Sequence, residues 1–272
     1  MIGQKYLQSR VHSMVRLGRL PRFIIFVGEF GSGRRTFTKW LADDLDAQFV
    51  EAGRGIDDVR NVITQSYKVD VPMLYFFADA DGMSNAAKNA LLKVTEEPPM
   101  NAYFVLSTTD TERLLPTIVS RAQVFNMESY TISELTEFVG DDIANIDMYA
   151  NCCNNGYEVN TVKSYGVNEF SDFVNLVVDN IADVSGSNAL KMENKIAFKA
   201  DDEGYDVKIF LQAFRAECMR RIMKTDDRGV YISWVQITSE RLQELQIQAI
   251  NKQAVFDMWI FDIREAAMDA EG

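Results

Sequence analysis

Short apolar runs alternate with helical patterns through the first half of the chain. Residues 73–77 and 103–106 are almost wholly apolar, which is typical of strands buried on both faces of a parallel sheet. Between such runs, apolar residues recur at the spacing of one helix face. The predicted strands are 23–27, 48–50, 73–77, 103–106 and 124–125. The predicted helices are 5–20, 34–46, 56–67 and 85–95, the last capped by Ser84. This order predicts an α/β fold with a doubly wound parallel sheet.

The pattern changes after Met127, where strand signals of comparable quality stop and helical spacing continues. The predicted helices there are 131–139, 143–153, 159–165, 168–183, 205–224, 237–250 and 252–268. Ser185–Asn188 has the composition of a linker. We therefore predict three domains, an α/β domain at 1–129, a small helical domain at 130–184 and a further helical domain at 185–272.

Charge is distributed unevenly along the 272 residues, whose net charge is −12. Residues 1–129 hold 15 basic and 15 acidic side chains, whereas residues 130–272 hold 13 and 25. The acidic second half disfavours DNA binding there. The first 39 residues carry eight basic side chains against one acid, Glu29, which indicates either a phosphate-binding surface or an ordinary solvated one.

Cysteine usage and hydropathy set further bounds. No run approaches about 18 consecutive apolar residues, so no membrane span is expected. Three cysteines provide neither a disulfide framework nor a zinc pattern, which favours a reducing, cytoplasmic setting. Cys152 and Cys153 lie in a helical stretch, where neighbours point about 100° apart, so we expect at most one to be buried. His12 lacks a partner pattern for catalysis.

The residues after the first strand have the spacing of a phosphate-binding loop, G-x-x-x-x-G-K-[ST]. In such loops glycines let backbone N–H groups and a helix N-terminus converge on phosphate oxygens. Here the Lys position holds Arg34, and Arg35 replaces the hydroxyl residue that would bind Mg²⁺. The candidate nucleotide contacts, in a vestigial form of the site, are Gly28, Gly31, Gly33, Arg34, Arg35, Thr36 and Thr108.

A second nucleotide-binding element is expected after strand 73–77, where an acid positions Mg²⁺ and water. Ala78 replaces the metal-binding acid, and Asp79 stands where a water-activating Glu is expected. Because both Mg²⁺ contacts are missing, the sequence predicts no metal site and no hydrolysis. Passive binding of ATP or ADP stays open.

Two further candidates each have an ordinary alternative. Thr108 follows the strand 103–106 and is suited to bind a γ-phosphate or water, but strand-end hydroxyls are more often turn or cap formers. Arg121 lies on the segment just before the last strand. From there, its side chain either reaches the γ-phosphate bound by a neighbouring subunit or forms a surface salt bridge. The sequence alone does not decide either case.

Three segments together resemble the clamp-loader subunits of the AAA+ class, and among them the delta-prime subunits of bacterial DNA polymerase III. They are Ile2-Gly3-Gln4 with Gly18-Arg19-Leu20-Pro21, the stretch from Asn89 to Pro99, and the stretch from Leu114 to Ala122. The resemblance implies an AAA+ domain, a lid and a collar within a pentameric assembly. It also implies that the chain does not hydrolyse ATP and that Arg121 serves in trans as an arginine finger. The implied partners are gamma/tau-like ATPase and delta-like subunits, the sliding clamp and primed DNA, with no membrane.

The chain departs from that family at three places. Ala122 replaces the cysteine of the Ser-Arg-Cys motif, the four-cysteine zinc module is absent, and Asn160 stands where a nucleotide-sensing arginine is expected. Two other functions therefore remain as alternatives. One is a stand-alone ATPase that uses Arg34 and Asp79, and the other is a DNA-binding module that uses the basic first 39 residues.

Overall fold

The computed structural model describes residues 2–182, 194–198, 203–225, 228–247 and 250–271. These residues form two compact units, Met1–Phe138 with Asn155–Tyr157, and Val139–Asn154 with Glu158–Gly272. The predicted division into three domains stays a prediction. The linker proposed at 185–188, and with it the boundary between 184 and 185, lies outside the described residues.

The first unit is built on a five-stranded parallel sheet, as predicted. Its strands are β1 Phe23–Val27, β2 Gln48–Ala52, β3 Met73–Phe77, β4 Ala102–Thr108 and β5 Gln123–Asn126. Their order across the sheet is β2-β3-β4-β1-β5, so β1 is an inner strand. This order requires helical crossovers between parallel neighbours, which the sequence pattern supplies.

Helices cover both faces of this sheet. They are α1 Lys5–Arg16, α2 Arg34–Asp44, α3 Ile56–Ser66, α4 Asn85–Glu96 and α5 Pro116–Val119. Helix α6 Ile132–Val139 follows β5 along the chain. Successive β1 side chains point to opposite faces, so Phe23 and Ile25 join the core formed with α3 and α4, while Ile24 and Phe26 join the core formed with α1 and α2. Burial on both faces explains why β1 and β3 read as continuous apolar runs.

Packed helices form most of the second unit. They are α7 Ile146–Cys152, α8 Gly156–Tyr165 (whose first two residues belong to the first unit), α9 Val167–Asn180, α10 Val207–Ile222, α11 Gly229–Glu244 and α12 Lys252–Glu271. Trp234 and Trp259 are buried in its core, and each indole N–H has a partner, Ile263 O and Thr238 Oγ1, both at 2.9 Å. In the described part of the chain, no helix has the length and apolar character needed to cross a bilayer.

Several predicted element boundaries were wrong. Helix α1 ends at Arg16, not at residue 20, because Gly18 adopts a left-handed φ of +62° and closes a Schellman motif, with Arg19 N donating to Met14 O. Helix α11 begins at Gly229 and ends at Glu244, whereas 237–250 was predicted. Two short strands, β6 Ile196–Ala197 and β7 Tyr205–Asp206, pair where none was predicted.

The expectation for the adjacent cysteines was also wrong. Cys152 and Cys153 are both buried, with exposed fractions of 1% and 4%. Helix α7 ends at Cys152, and Cys153 is extended, with φ −122° and ψ 129°. The 100° rotation of a continuing helix therefore does not apply, and the two Sγ atoms lie 3.6 Å apart. The hydrogen bond between the two thiols and burial raise the pKa of the Cys153 thiol.

Candidate functional site

The glycine loop, Gly28–Gly33, lies between β1 and α2, at the carboxyl end of an inner strand, where open parallel sheets bind ligands. Gly31 and Gly33 have φ values of +82° and +89°, which L side chains rarely adopt. Gly28 N donates to Thr108 O across the neighbouring strand. The local backbone is therefore the turn that the glycine spacing predicts.

Arg34, at the position of the phosphate-binding lysine, is buried, with an exposed fraction of 8%. Its Nη2 lies 3.4 Å from Asp79 Oδ1. Burial lowers the pKa of Arg34, while the carboxylates of Asp79 and Asp81 raise it. Among the described residues, its Nη1 has no hydrogen-bond partner. The guanidinium is thus neutralised by acids that follow β3.

Arg35 and Thr36, at and after the position of the Mg²⁺-binding hydroxyl, are both exposed. The Arg35 guanidinium pairs with the Glu51 carboxylate on β2. The described residues contain no cluster of three or more His, Cys, Asp or Glu side chains able to hold a metal ion. Arg35 is thus paired with Glu51 and offers no oxygen ligand, and the expected lack of a magnesium site stays a prediction.

The end of β3 is shaped by Asp79, which has a left-handed φ of +46° and ψ of 55°. Non-glycine residues pay a conformational penalty there, although Asp tolerates it better than most. Its backbone N–H donates to Ser107 Oγ at 3.1 Å. Ser107 is buried on β4 and was not a predicted site residue. Adjacent residues of a strand point to opposite faces of the sheet. The sequence alone did not tell whether Ser107 or Thr108 points to the face where Asp79 N lies.

Thr108 is fully buried, and its hydroxyl is engaged in a turn. Thr108 Oγ1 donates to Asp110 O at 2.7 Å and accepts from Asp110 N at 3.2 Å. This is the geometry of the turn-forming alternative. A role for Thr108 in contacting phosphate stays a prediction.

Residues distant in sequence cover the glycine loop. The Tyr130 ring packs on Gly3, where an added Cβ would lie 2.4 Å from Tyr130 Cζ. The Tyr130 hydroxyl donates to Ile2 O at 3.4 Å, and a backbone hydrogen bond joins it to Gly156. Tyr157 lies against Gly31, and its ring meets the Phe30 ring edge to face at 5.0 Å between centroids. The resemblance puts a nucleotide-sensing position at Asn160, shortly after Tyr157, but the sequence indicated none of these contacts.

Arg121 follows α5, on the segment before β5, with an exposed side-chain fraction of 39%. Its Nη1 donates to Thr117 O at 2.9 Å, and its Nη2 lies 3.0 Å from Glu96 Oε1. Within the described ranges, no hydrogen bond or ion pair links it to the glycine loop. His12 pairs with Asp44 at 2.7 Å between Nδ1 and Oδ1, a contact between α1 and α2.

One segment of the chain matches a known protein family. Residues 55–131 match the family model described as DNA polymerase III, delta subunit. This segment resembles the delta subunit of DNA polymerase III. It extends from the start of α3 past β5 and contains Arg121, but it does not include the glycine loop.

Relatives at about 25% identity are gamma and tau subunits of DNA polymerase III. The chain is 26% identical to DNA polymerase III subunit gamma of Buchnera aphidicola subsp. Acyrthosiphon pisum over 170 residues, 51% of this chain and 47% of that protein. It is 25% identical to DNA polymerase III subunit tau of Escherichia coli K12 over 166 residues, 50% of this chain and 26% of that protein. The chain thus matches less than half the length of these relatives.

Solved structures confirm the fold class. A DNA polymerase III gamma subunit-related protein from Thermotoga maritima has a TM-score of 0.52 at 18% identity, covering 94% of this chain and 99% of that one. A point variant of Thermotoga maritima RuvB has a TM-score of 0.50 at 18% identity, covering 82% of this chain and 76% of that one. At this identity the likeness concerns the fold alone. The chain has an AAA+ fold with a helical C-terminal region.

Proposed function

We propose that this protein is a non-hydrolysing clamp-loader subunit of the delta-prime type, which helps to place a sliding clamp on primed DNA. Its delta-subunit-like domain and its gamma and tau relatives support a role in replication. The proposed partners are a gamma/tau-like ATPase subunit, a delta-like subunit, the clamp and the primed DNA. The observation that carries the proposal is the pairing of Arg34 and Arg35 with acidic side chains of the chain itself.

Loss of hydrolysis follows from what those two side chains do. Phosphoryl transfer depends on positioning and on charge neutralisation by a metal ion. Arg35 replaces the hydroxyl ligand and pairs with Glu51, while Arg34 faces Asp79 instead of an open phosphate site. Ala78 offers no ligand at the end of β3. A subunit built in this way contributes structure, not turnover.

Arg121 is the proposed catalytic contribution, made in trans to the ATPase of a neighbouring subunit. It is partly exposed and its ion pair with Glu96 is a surface pair, of the kind worth about 0–1 kcal/mol. Releasing it therefore costs little. An arginine finger that stabilises charge on a γ-phosphate is worth about 10³–10⁵ in rate in GTPases. The small cost and the large gain make this side chain suited to the role.

The test is the ATPase rate of the assembled complex. The tagged chain is used to isolate its partners from the source cell, and the complex is rebuilt with Arg121→Ala. We expect at least about a tenfold lower ATPase rate with unchanged assembly, because the finger would be lost and the fold kept. The matched control is Arg60→Ala. Arg60 is an exposed arginine on α3 that also forms a surface ion pair, with 3.9 Å between its Nη1 and Asp57 Oδ1. An unchanged rate for Arg121→Ala removes the finger from the proposal.

The same preparation separates the alternatives. Magnesium-dependent ATP turnover by the isolated chain would contradict the proposal and favour a stand-alone ATPase. DNA binding by the isolated chain that weakens steeply with salt would favour a nucleic-acid module using the basic N-terminal residues. Neither activity is expected, since the loop lacks Mg²⁺ ligands and the proposed DNA contact is made within the complex.

A further inference from the structure

We infer that the glycine loop is occupied by the chain's own residues, Tyr130 and Asn155–Tyr157, and that this contact excludes nucleotides from the isolated protein. The inference concerns the loop alone and does not depend on the clamp-loader assignment. It starts from a contrast within the site. The loop backbone keeps the turn that its glycine spacing predicts, whereas Arg35 and Ala78 carry no Mg²⁺ ligand.

The first step is the close approach at Gly31. A Cβ added there would lie 2.6 Å from Tyr157 Cβ and 2.7 Å from Asn155 Oδ1, distances that real Cβ atoms essentially never show. Glycines in phosphate-binding loops allow a ligand to approach the backbone. Here that approach is taken by Asn155 and Tyr157. Asn155 is itself buried and fixes the turn, because its Oδ1 accepts from Tyr157 N at 3.0 Å.

The second step is the aromatic contact at the mouth of the loop. Phe30 and Tyr157 meet with an interplanar angle of 81°. Edge-to-face pairs of this kind add to the stability that their buried area provides. Phe30 lies between Gly28 and Gly33, so this contact attaches the loop directly to the segment Asn155–Tyr157.

The third step is Tyr130, which joins three segments beside the loop. Its ring lies on Gly3, its hydroxyl binds Ile2 O and the backbone of Gly156, and the same oxygen would lie 3.9 Å from a Cβ on Gly33. One side chain beside the loop therefore joins the N-terminal residues to the segment Asn155–Tyr157. A nucleotide entering there must displace these contacts.

The fourth step concerns two buried polar atoms of the loop and of the start of α2. Ser32 Oγ and Arg34 Nη1 are buried and have no hydrogen-bond partner among the described residues. Buried donors without partners are costly, and a phosphate oxygen would satisfy both. Once the cover is removed, the loop should regain affinity for a nucleoside diphosphate without regaining hydrolysis.

The test is the binding of fluorescent N-methylanthraniloyl-ADP to the purified chain. We expect no saturable binding by the wild type. The double variant Tyr130→Ala/Tyr157→Ala should bind at least about tenfold more tightly, because removing a competing state raises apparent affinity by the inverse of the open fraction. The control is Tyr6→Ala, which alters a tyrosine of the same unit with an exposed fraction of 76%. Circular dichroism verifies the fold of each variant.

Two results overturn the inference. One is wild-type binding as tight as that of the double variant, and the other is a folded double variant that still does not bind. If the double variant does not fold, amide hydrogen exchange of the wild type decides instead. Protection at Gly31–Gly33 that is unchanged by ADP supports the inference, whereas an ADP-dependent change contradicts it. None of these outcomes bears on Arg121 or on assembly, so the proposed function is tested separately.

Discussion

The positive charge of the buried Arg34 is stabilised by carboxylates of the same chain. An arginine stays protonated even when buried, so its environment must supply an opposing charge. Asp79 and Asp81 do so in place of a phosphate, and their presence raises the pKa that burial lowers. The prediction that the Mg²⁺ ligands are lost rests on the identities of residues 34, 35 and 78 alone. The partner of Arg34 was not predictable, because it depends on how β1 and β3 align in the sheet.

The adjacent cysteines show where residue-level prediction stops. The expected 100° rotation requires α7 to continue through both residues, but the helix ends between them. A single change in backbone conformation therefore allows both side chains to be buried, where at most one was expected. Helix ends are set by local capping and by tertiary packing, which apolar spacing alone does not encode.

Cys218, buried on α10, provides a prediction about pH. Burial raises the pKa of its thiol to about 12, with Arg221 opposing and Glu217 adding to the shift. In the unfolded chain the thiol ionises near 8.5. Between these values the unfolded state binds fewer protons than the native state, so the free energy of unfolding falls as pH rises, by roughly 1.4 kcal/mol per pH unit from this group. Below about pH 8 the group makes no such contribution.

Urea unfolding between about pH 8 and 10.5 measures this effect. Cys218→Ser keeps a small polar side chain and removes the titration, so the difference between variant and wild type isolates the thiol from the tyrosines and lysines that ionise nearby in pH. We expect the variant to show a shallower loss of stability above about pH 9. Parallel curves for the two proteins would contradict the burial-induced pKa.

Elements with strong local signals were predicted well. Strands β1 and β3 match their predicted bounds because both are apolar on two faces. Strands β6 and β7 have two residues each, too few for any periodicity to be seen. The end of α1 was missed because Gly18, not Pro21, supplies the left-handed residue that terminates it.

Helix α4 begins with a cap that the sequence indicated and the structure contains. Ser84 Oγ accepts a hydrogen bond from Ala87 N at 3.2 Å. Replacing an N-cap serine by alanine leaves that N–H without its partner and costs about 1 kcal/mol. We expect Ser84→Ala to lower the free energy of unfolding by this amount, as measured by urea denaturation. Ser84→Asp, which restores an acceptor, should lose little, and equal losses for both variants would show that the cap is not the cause.

At the scale of the whole molecule, the loop was predictable and its cover was not. Gly28 and Gly33 indicate a phosphate-binding turn through their spacing alone. Tyr130 and Asn155–Tyr157 reach the loop from more than 90 residues away, through contacts that no spacing rule encodes. Their role becomes visible only when the packing at Gly3 and Gly31 is known.

The C-terminal helix α12 carries a second apolar face that supports the proposed collar. Trp259 and Ile263 are buried in the second unit, while Met258, Phe261 and Met268 are exposed on the other side of the helix. A helix that is apolar on both sides is expected to be buried on both, and the occupant we predict is a helix of a neighbouring subunit in the proposed complex. Phe261→Asp should leave the fold of the isolated chain intact, since 66% of Phe261 is exposed, and should weaken co-assembly in pull-downs and gel filtration. Tyr6→Asp, at a similarly exposed site on α1, is the control for added charge. Co-assembly of Phe261→Asp at the wild-type level would place the contacts of the complex elsewhere and remove the collar from the proposal.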